Sequence, residues 1–228
     1  MIIAVIPARS GSKRIKDKNI KNFLGRPIIS YTIKKLIDSR IFDRVYVSTN
    51  NKKIANLSTK FGAEVPFLRS KKLGGDNVST VDVISEFLLK LNIPIIKVKV
   101  VCCVYPCTPL METKDIKKGI HLFLKQKKSF VYPVLKYKHP VQRSFTITNT
   151  GKVKYFFPKF EHYKTQDLKQ TYHDAGQFYI SNPTNWIKKK KMHIDSTCFE
   201  VNNFNAVDID DEDDWKMAEF IYKYKWKF

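Results

Sequence analysis

The chain opens with Ile2-Ile3-Ala4-Val5-Ile6, followed at once by Pro7-Ala8-Arg9-Ser10-Gly11-Ser12-Lys13-Arg14. The five apolar residues predict a buried parallel strand, because such a strand is covered on both faces. The small and basic residues that follow predict a loop whose backbone N–H groups and cations surround an anion. Because open α/β sheets bind ligands at the carboxyl ends of their strands, this loop is a candidate triphosphate site.

The loop matches neither of the common phosphate-binding motifs. It lacks the Gly-Lys-Ser/Thr of a Walker loop and the Gly-x-Gly-x-x-Gly of a dinucleotide loop. Taken alone, it is therefore also compatible with an ordinary basic turn between a strand and a helix. Only the rest of the chain distinguishes the two interpretations.

Length and composition indicate one globular domain. The chain has 228 residues, of which 43% are hydrophobic, enough for an α/β domain with a sizeable core. We expect a single domain over 1–228 with an inserted arm around 137–170. No stretch approaches the ~20 apolar residues of a membrane helix, and the first residues lack the charged segment of a signal peptide. These features predict a cytoplasmic protein with no membrane partner.

Basic residues outnumber acidic ones by 42 to 21, and the formal charge of +21 suggests a nucleic-acid partner. Most of them are lysines scattered along the chain, with one run of four at 188–191. Nucleic-acid surfaces usually carry clustered Arg and interleaved aromatic residues. We therefore predict no nucleic-acid partner and keep a non-catalytic, basic nucleotide- or nucleic-acid-binding module as the distant alternative.

The four cysteines are Cys102, Cys103, Cys107 and Cys198, and they form no C-x-x-C pair. Cys102 and Cys103 fall within the most apolar run of the chain, where a thiol packs like a small apolar side chain. We interpret all four as buried free thiols, with a metal site or a disulfide as the alternative.

Strand and helix patterns alternate through the first 125 residues. Strands are expected at 45–48, 63–65 and 98–104, and helices near 28–37, 54–61, 80–91 and 113–124. Repeated strand–helix–strand units imply an α/β fold with a doubly wound, mostly parallel, Rossmann-like sheet. Shorter strands are then expected at 131–137, 145–148, 153–157, 172–180 and 206–207, before a last helix.

Two internal loops carry unusual residues. Arg69 precedes a Gly74-Gly75-Asp76 turn and a helix start at Ser79-Thr80, a spacing that fits a base-binding turn and a plain surface turn equally well. The segment 105–110 follows the most apolar run, and its two prolines predict a rigid loop at the carboxyl end of a central strand. A stiff connection without a ligand is the alternative there.

Asp208 and Asp210 lie two residues apart near the end of the chain. In an extended segment both point to one face, where two carboxylates repel each other unless a cation joins them. Mg²⁺ prefers oxygen ligands of this kind together with substrate phosphates. The alternative is capping of the last helix, which suits 211–214 better than the earlier Asp208.

Together, these segments resemble the CMP-sialic acid synthetase family of cytidylyltransferases, which activate nine-carbon keto sugars. The resemblance covers essentially the whole chain in order. It is carried by 6–14 with 18–20, Leu68-Arg69, Leu73, Asp76, 106–110, 166–168, 176–180 and 208–210. It implies a nucleotide-diphospho-sugar transferase-like fold, transfer of CMP from CTP with Mg²⁺ or Mn²⁺, and a homodimer in which the inserted arm reaches the partner's site.

The resemblance also implies a role for each matched position. Arg9 and Lys18 hold the triphosphate, while Asp208 and Asp210 bind the metal ion and complete the catalytic set. The CTP site comprises Ala8, Arg9, Ser10, Gly11, Lys13, Lys18, Asn19, Arg69, Asp76, Ser79 and Thr80. The acidic sugar is expected against Tyr105, Thr108, Gln142, Arg143, Gln166, Tyr172 and His173.

Three positions depart from the family pattern. Tyr105 stands where the sialic acid enzymes have Gln, Met111 where they have Arg, and Ala175 where they have Asn. All three fall in regions expected to contact the sugar, so they disfavour N-acetylneuraminate as the substrate. They leave the residues expected to bind CTP unchanged. With the segments 142–145, 165–168 and 172–176, they favour pseudaminic acid, and sialic or legionaminic acid is the alternative.

Overall fold

The structure, a computed structural model, describes residues 1–75, 77–126, 129–188 and 191–226. The strands are β1 (Ile2–Pro7), β2 (Asn22–Phe23), β3 (Arg26–Pro27), β4 (Arg44–Ser48), β5 (Val100–Val104), β6 (Val131–Lys136), β7 (Phe145–Ile147), β8 (Val153–Tyr155), β9 (Tyr172–Asp174), β10 (Phe178–Ser181) and β11 (Thr197–Glu200). The α-helices are α1 (Ile28–Asp38), α2 (Lys52–Lys60), α3 (Thr80–Lys90), α4 (Thr113–Lys125), α5 (Pro183–Lys188) and α6 (Glu212–Trp226).

Seven strands of the described chain form one sheet, in the order β11, β6, β10, β5, β1, β4, with β9 paired to β6. β1 is parallel to β4 and β5, and β11 is parallel to β6. β10 runs antiparallel to β5 and β6, and β9 runs antiparallel to β6. Five strands thus point the same way, and antiparallel β10 starts at the edge where β1 and β5 end.

Helices cover both faces of this sheet, which confirms the doubly wound α/β fold. α1, α2 and α4 bury apolar side chains such as Ile33 and Ile116 on one face. α3 and α5 cover the other face with Phe87 and Trp186, among others. Each fully buried side chain of this kind contributes roughly 2 kcal/mol through the hydrophobic effect. α6 packs at the end of the sheet, where Trp215 joins a smaller apolar cluster next to the opening loop.

β1 is the point at which the strand order reverses. The chain passes from β1 through α1 to β4 on one side, and later reaches β5 on the other side. The loops that follow β1 and β5 therefore lead toward opposite edges of the sheet, although α1 and α4 pack on the same face. The gap between them is the place where open α/β sheets bind ligands.

Three strand predictions are wrong in detail. Residues 63–65 form an isolated bridge between Glu64 and Tyr46 rather than a strand. The predicted strand 172–180 is divided into β9 and β10 by a turn at Gly176, whose φ is +62°. Residues 206–207 lie outside the strands, and β11 at 197–200 takes an edge position in the sheet instead. An extended pattern does not show whether a segment finds a pairing partner.

Between β6 and β9 the chain leaves the sheet within the predicted arm. β7 and β8 form a hairpin there, and its apolar side chains are exposed, Ile147 by 69%.

The cysteines are free thiols, but Cys198 is exposed, so the prediction that all four are buried is wrong. No helix among the described residues has the length and apolarity to cross a membrane. Two residues of the lysine run, 189 and 190, lie outside the described ranges.

Candidate active site

Amide side chains fix the loop that follows β1. The Nδ2 of Asn19 donates to the carbonyl oxygen of Arg9 at 2.8 Å. The backbone N–H of Ser10 donates to Oδ1 of Asn50 at 3.1 Å. Gly11 has a φ of +81°, which glycine adopts without strain. The loop is therefore shaped by its own hydrogen bonds before any ligand enters.

A cavity of about 480 Å³ opens beside this loop at the carboxyl edge of the sheet. Basic side chains dominate its wall. It is lined by Pro7, Arg9, Ser12, Lys13, Arg14, Lys18, Asn19, Arg69, Val78, Thr80, Val83, Tyr105 and Pro106. Cations around a cavity of this size suit a nucleoside triphosphate, because they offset its negative charge in a partly desolvated space.

Most of the predicted CTP residues meet at this cavity. Ala8, Ser10 and Gly11 belong to the loop beside it but are not part of its wall. Ser79 caps α3 instead, since its Oγ accepts the backbone N–H of Asp82 at 3.1 Å. Asp76 lies outside the described residues.

Arg69 is a buried guanidinium fixed at the end of β4. Its Nε donates to Oγ of Ser48 at 3.2 Å, and its Nη2 donates to the carbonyl oxygen of Ser48. Burial lowers the pKa of Arg69 to about 10, with Arg9 contributing in the same direction. Arg9 and Arg69 thus both line this cavity, where an anionic or carbonyl-bearing ligand would stabilise both.

The far end of the chain is tied to the opening loop. Arg14 Nη2 lies 2.6 Å from Oδ1 of Asp210, and Lys18 Nζ lies 3.6 Å from the same oxygen. Lys18 also donates to the carbonyl oxygen of Ile209 at 2.6 Å. The two motifs that are farthest apart in the sequence therefore form one site.

Asp208 lines a smaller cavity of about 100 Å³ that shares Lys18, Asn19 and Tyr105 with the larger one. Partial desolvation raises the pKa of Asp208, the Asp210 carboxylate raises it further, and Lys18 opposes the shift. Two carboxylates that repel each other beside a phosphate-sized cavity fit a Mg²⁺ ion that takes its other ligands from phosphate and water. The described chain holds no group of three His, Cys, Asp or Glu side chains arranged for a metal ion.

A hydrogen-bonded network that the sequence did not predict extends from the cavity to the surface. Tyr105 Oη lies 2.9 Å from Thr80 Oγ1, and the Tyr105 ring packs edge to face against Tyr179. Tyr179 Oη donates to Oδ2 of Asp174 at 2.7 Å, and His193 Nε2 lies 2.9 Å from the same oxygen. Burial raises the pKa of Tyr105 to about 12, so its phenol stays neutral. The adjacency of His173 and Asp174 gave no signal of this pairing with His193.

The hydroxyl of Thr108 bonds within its own loop. Its hydroxyl is buried and donates to the carbonyl oxygen of Tyr105 at 2.9 Å, within the loop itself. The contact of Thr108 with the sugar stays a prediction, while its hydroxyl shapes the loop between β5 and α4.

The other predicted sugar residues, apart from Tyr105, lie on the arm or on β9 rather than at the two cavities of the same chain. They are Gln142, Arg143, Gln166, Tyr172 and His173. Arg143 lines a separate cavity of about 490 Å³ under the arm. The His173 ring packs against Tyr137 with centroids 4.8 Å apart. Within one chain, this group and the CTP cavity do not form a common site.

Comparisons with known proteins agree with this geometry. A family model described as cytidylyltransferase matches residues 3–216. A pseudaminic acid cytidylyltransferase of Campylobacter jejuni is 34% identical over 97% of this chain and 96% of its own length. A CMP-N,N'-diacetyllegionaminic acid synthase of Legionella pneumophila is 28% identical over 96% of this chain and 94% of its own length.

A solved structure shares the fold. A CMP:2-keto-3-deoxy-manno-octonic acid synthetase complexed with CTP has a TM-score of 0.74 and covers 98% of this chain and 99% of its own. At 14% identity, this likeness shows the fold alone.

Proposed function

Because the chain belongs to the cytidylyltransferase family, we propose that it transfers CMP from CTP to pseudaminic acid, giving CMP-pseudaminic acid and pyrophosphate. The chain is a nucleotidyltransferase, so the proposal concerns the substrates and the residues that act on them. One observation carries it: the basic cavity and the cavity beside Asp208 share Lys18 and Tyr105. A triphosphate on one side and a sugar hydroxyl on the other would meet there.

The nucleotide half of the site neutralises charge and orients the α-phosphate. Arg9, Lys13 and Lys18 surround the triphosphate from the opening loop, and Arg69 and Thr80, which line the same cavity, contribute from other segments. Preformed positive charge stabilises the transition state, because negative charge accumulates on the phosphoryl oxygens as the sugar hydroxyl attacks in line. The leaving pyrophosphate stays against the same cations.

Asp208 and Asp210 are the proposed ligands of a Mg²⁺ or Mn²⁺ ion. A divalent ion bound there would polarise the α-phosphate and offset the charge of the pyrophosphate. Asp210 also pairs with Arg14 and lies near Lys18, and both of these cations line the triphosphate cavity. Lys18 keeps the 208–210 segment in place through its bond to Ile209.

The sugar half is proposed to involve two chains. Tyr105 lies at the cavity of its own chain, whereas the sugar residues of the arm do not. In a homodimer the arm of one chain can place its Gln142 and Arg143 against the site of the other, and Arg143 can pair with the sugar carboxylate. Exposed apolar side chains on the arm, such as Ile147 and Phe156, support this assembly. A cytoplasmic location agrees with the use of CTP.

Pyrophosphate release tests the reaction directly. The purified chain is supplied with CTP and Mg²⁺, and with pseudaminic, legionaminic or N-acetylneuraminic acid in parallel. We expect turnover with pseudaminic acid well above the other two. Turnover with N-acetylneuraminic acid alone would reject the proposed sugar, and no turnover with any of the three would reject the reaction.

Two aspartate variants test the metal ligands. Asp208→Asn should lower turnover by at least about 100-fold, since it removes charge that acts in the transition state. Asp211→Asn is the matched control, because the Asp211 carboxylate caps α6 by accepting the N–H groups of residues 213 and 214 at 2.9 Å. Equal activities in the two variants would remove Asp208 from the proposed site.

A further inference from the structure

Helix α1 holds the 105–111 loop through hydrogen bonds from two of its side chains. Lys35 Nζ donates to the carbonyl oxygen of Pro109 at 2.8 Å and to that of Met111 at 2.6 Å. Lys35 lines neither cavity of the proposed active site. Its two acceptors belong to the loop that carries Tyr105, which lines both cavities.

A second side chain of α1 acts on the same loop. Thr32 Oγ1 donates to the carbonyl oxygen of Pro106 at 2.9 Å and lies 3.2 Å from Oγ1 of Thr108. Thr32 and Lys35 are three residues apart, so they lie on one face of the helix. The loop belongs to no helix or strand, and its carbonyl groups therefore need donors from elsewhere.

The ammonium group of Lys35 lies among groups from three other elements. The ring of Trp226, at the end of α6, lies 4.8 Å from Nζ. Burial lowers the pKa of Lys35 to about 8, Lys225 lowers it further, and Glu112 opposes the shift. Charged or titratable side chains on the two cavities that meet at Lys35 also include Arg26, Asp38, Lys114 and Tyr222.

We propose that Lys35 is a positioning residue for CMP transfer: its amino group fixes the 105–111 loop and thereby keeps Tyr105 at the junction of the two cavities. The effect on turnover rests on the proposed function, whereas the effect on the loop does not. A protonated amine binds carbonyl oxygens more strongly than a neutral one, and it is also attracted to the face of Trp226. Loss of the proton therefore weakens the two hydrogen bonds that Lys35 donates to the loop.

Substitution at position 35 tests the contact itself. In Lys35→Met, amide hydrogen exchange within 105–111 should become at least about tenfold faster, because the loop loses two charge-assisted hydrogen bonds. Lys34→Met removes an exposed lysine of the same helix and should leave that exchange unchanged. Equal exchange in the two variants would overturn the proposal, and this measurement needs no substrate.

A pH profile separates positioning from general stabilisation. The wild-type kcat/KM should fall as the pH rises through about 8, where Lys35 loses its proton. Lys35→Arg keeps the charge at every accessible pH, so its alkaline limb should move upward by at least about one pH unit. An unmoved limb would overturn the proposal even if Lys35→Met fails to fold. A wild-type chain without turnover would reject the proposed function, and hydrogen exchange would still decide the role of Lys35.

Discussion

Gly176 lies directly against the carboxylate of Asp208. A Cβ atom added to Gly176 would sit 3.2 Å from both Cγ and Oδ2 of Asp208, and the φ of Gly176 is +62°. The turn that begins antiparallel β10 thus limits where the carboxylate can lie. This contact joins the middle of the chain to its last motif.

Gly176→Ala should reduce turnover by about 100-fold, because the new methyl group displaces a carboxylate that acts on the phosphoryl centre. Gly25→Ala is the matched control. Gly25 also has a positive φ, +90°, but nothing lies within 4 Å of its added Cβ. Steady-state kinetics at saturating CTP should show the loss in Gly176→Ala alone. A similar loss in both variants would assign the effect to backbone strain.

Lys18→Met should raise the KM for CTP and lower kcat, because Lys18 both lines the nucleotide cavity and bonds to Ile209. A combined loss of about 100-fold in kcat/KM is expected for the proposed, half-buried phosphate contact. Lys16→Met changes an exposed lysine of the same loop and should stay within about twofold of the wild type. Isothermal calorimetry with CTP checks the binding part. Unaltered CTP affinity in Lys18→Met would contradict this role.

Asp174 is expected to stabilise the turn before β10. Its Oδ1 accepts the N–H of Gly176 at 2.9 Å, while Oδ2 accepts from Tyr179. Asp174→Asn should lower the free energy of unfolding by about 1–3 kcal/mol, since it leaves polar groups poorly paired. His193→Gln should change it by less than about 0.5 kcal/mol, because His193 is exposed. Urea unfolding at pH 7 measures both values, and equal midpoints would count against the network.

The lowered pKa of Lys35 predicts that the difference in stability between the wild type and Lys35→Met depends on pH. The pKa of Lys35 is lowered from 10.5 to about 8 in the folded chain, so between these values the unfolded chain binds more protons. The contribution of Lys35 to the free energy of unfolding therefore rises as the pH increases from 8 to 10.5. Relative to the wild type, Lys35→Met should be most stable below pH 8 and should lose that relative advantage above it. Denaturant titrations of both proteins between pH 7 and 10.5 would show a constant difference if the pKa were normal.

The exposed arm predicts the oligomeric state. Phe156 is 60% exposed on the arm, and Phe156→Glu should convert a dimer to a monomer, because a carboxylate in an apolar interface is costly to desolvate. Met217→Glu alters a similarly exposed apolar residue on α6 and should leave the dimer intact. Light scattering after size-exclusion chromatography measures the mass. A wild-type monomer at micromolar concentration would contradict the two-chain sugar site.

Local patterns were sufficient for the elements that are buried on both faces or strongly amphipathic. The run 2–6 and the stripes of α1, α3 and α4 are found where periodicity predicts them. β11 was missed because its side chains are largely exposed, so burial leaves no continuous apolar run. The predicted strand at 206–207 failed because extended chain needs a free neighbouring edge to become a strand, and no local pattern reports one.

The residues of the candidate site likewise divide into those that the sequence predicts and those that only the structure shows. The loop 7–14 and the Asp208–Asp210 pair can be recognised in the sequence, because their residue types and spacing are enough to predict an anion site and a metal site. The residue type of Thr108 does not show where its hydroxyl bonds, and only packing shows that it bonds within the loop. The acceptor pair of Lys35 and the partner of His193 cannot be read along the chain either, since these contacts join residues 74 and 76 positions apart and 19 positions apart.

By itself, then, the sequence determined the strand–helix alternation, the cationic loop after β1 and the carboxylate pair near the end of the chain. The tertiary structure decided that Arg14 and Lys18 meet Asp210, that Gly176 sets the position of Asp208, and that the sugar residues of the arm lie away from the cavity of their own chain. The physical reason is the distance along the chain over which each kind of signal acts. Hydrophobic periodicity and residue chemistry act over a few neighbouring positions, whereas these contacts depend on the antiparallel insertion of β10 and on the order of strands around β1.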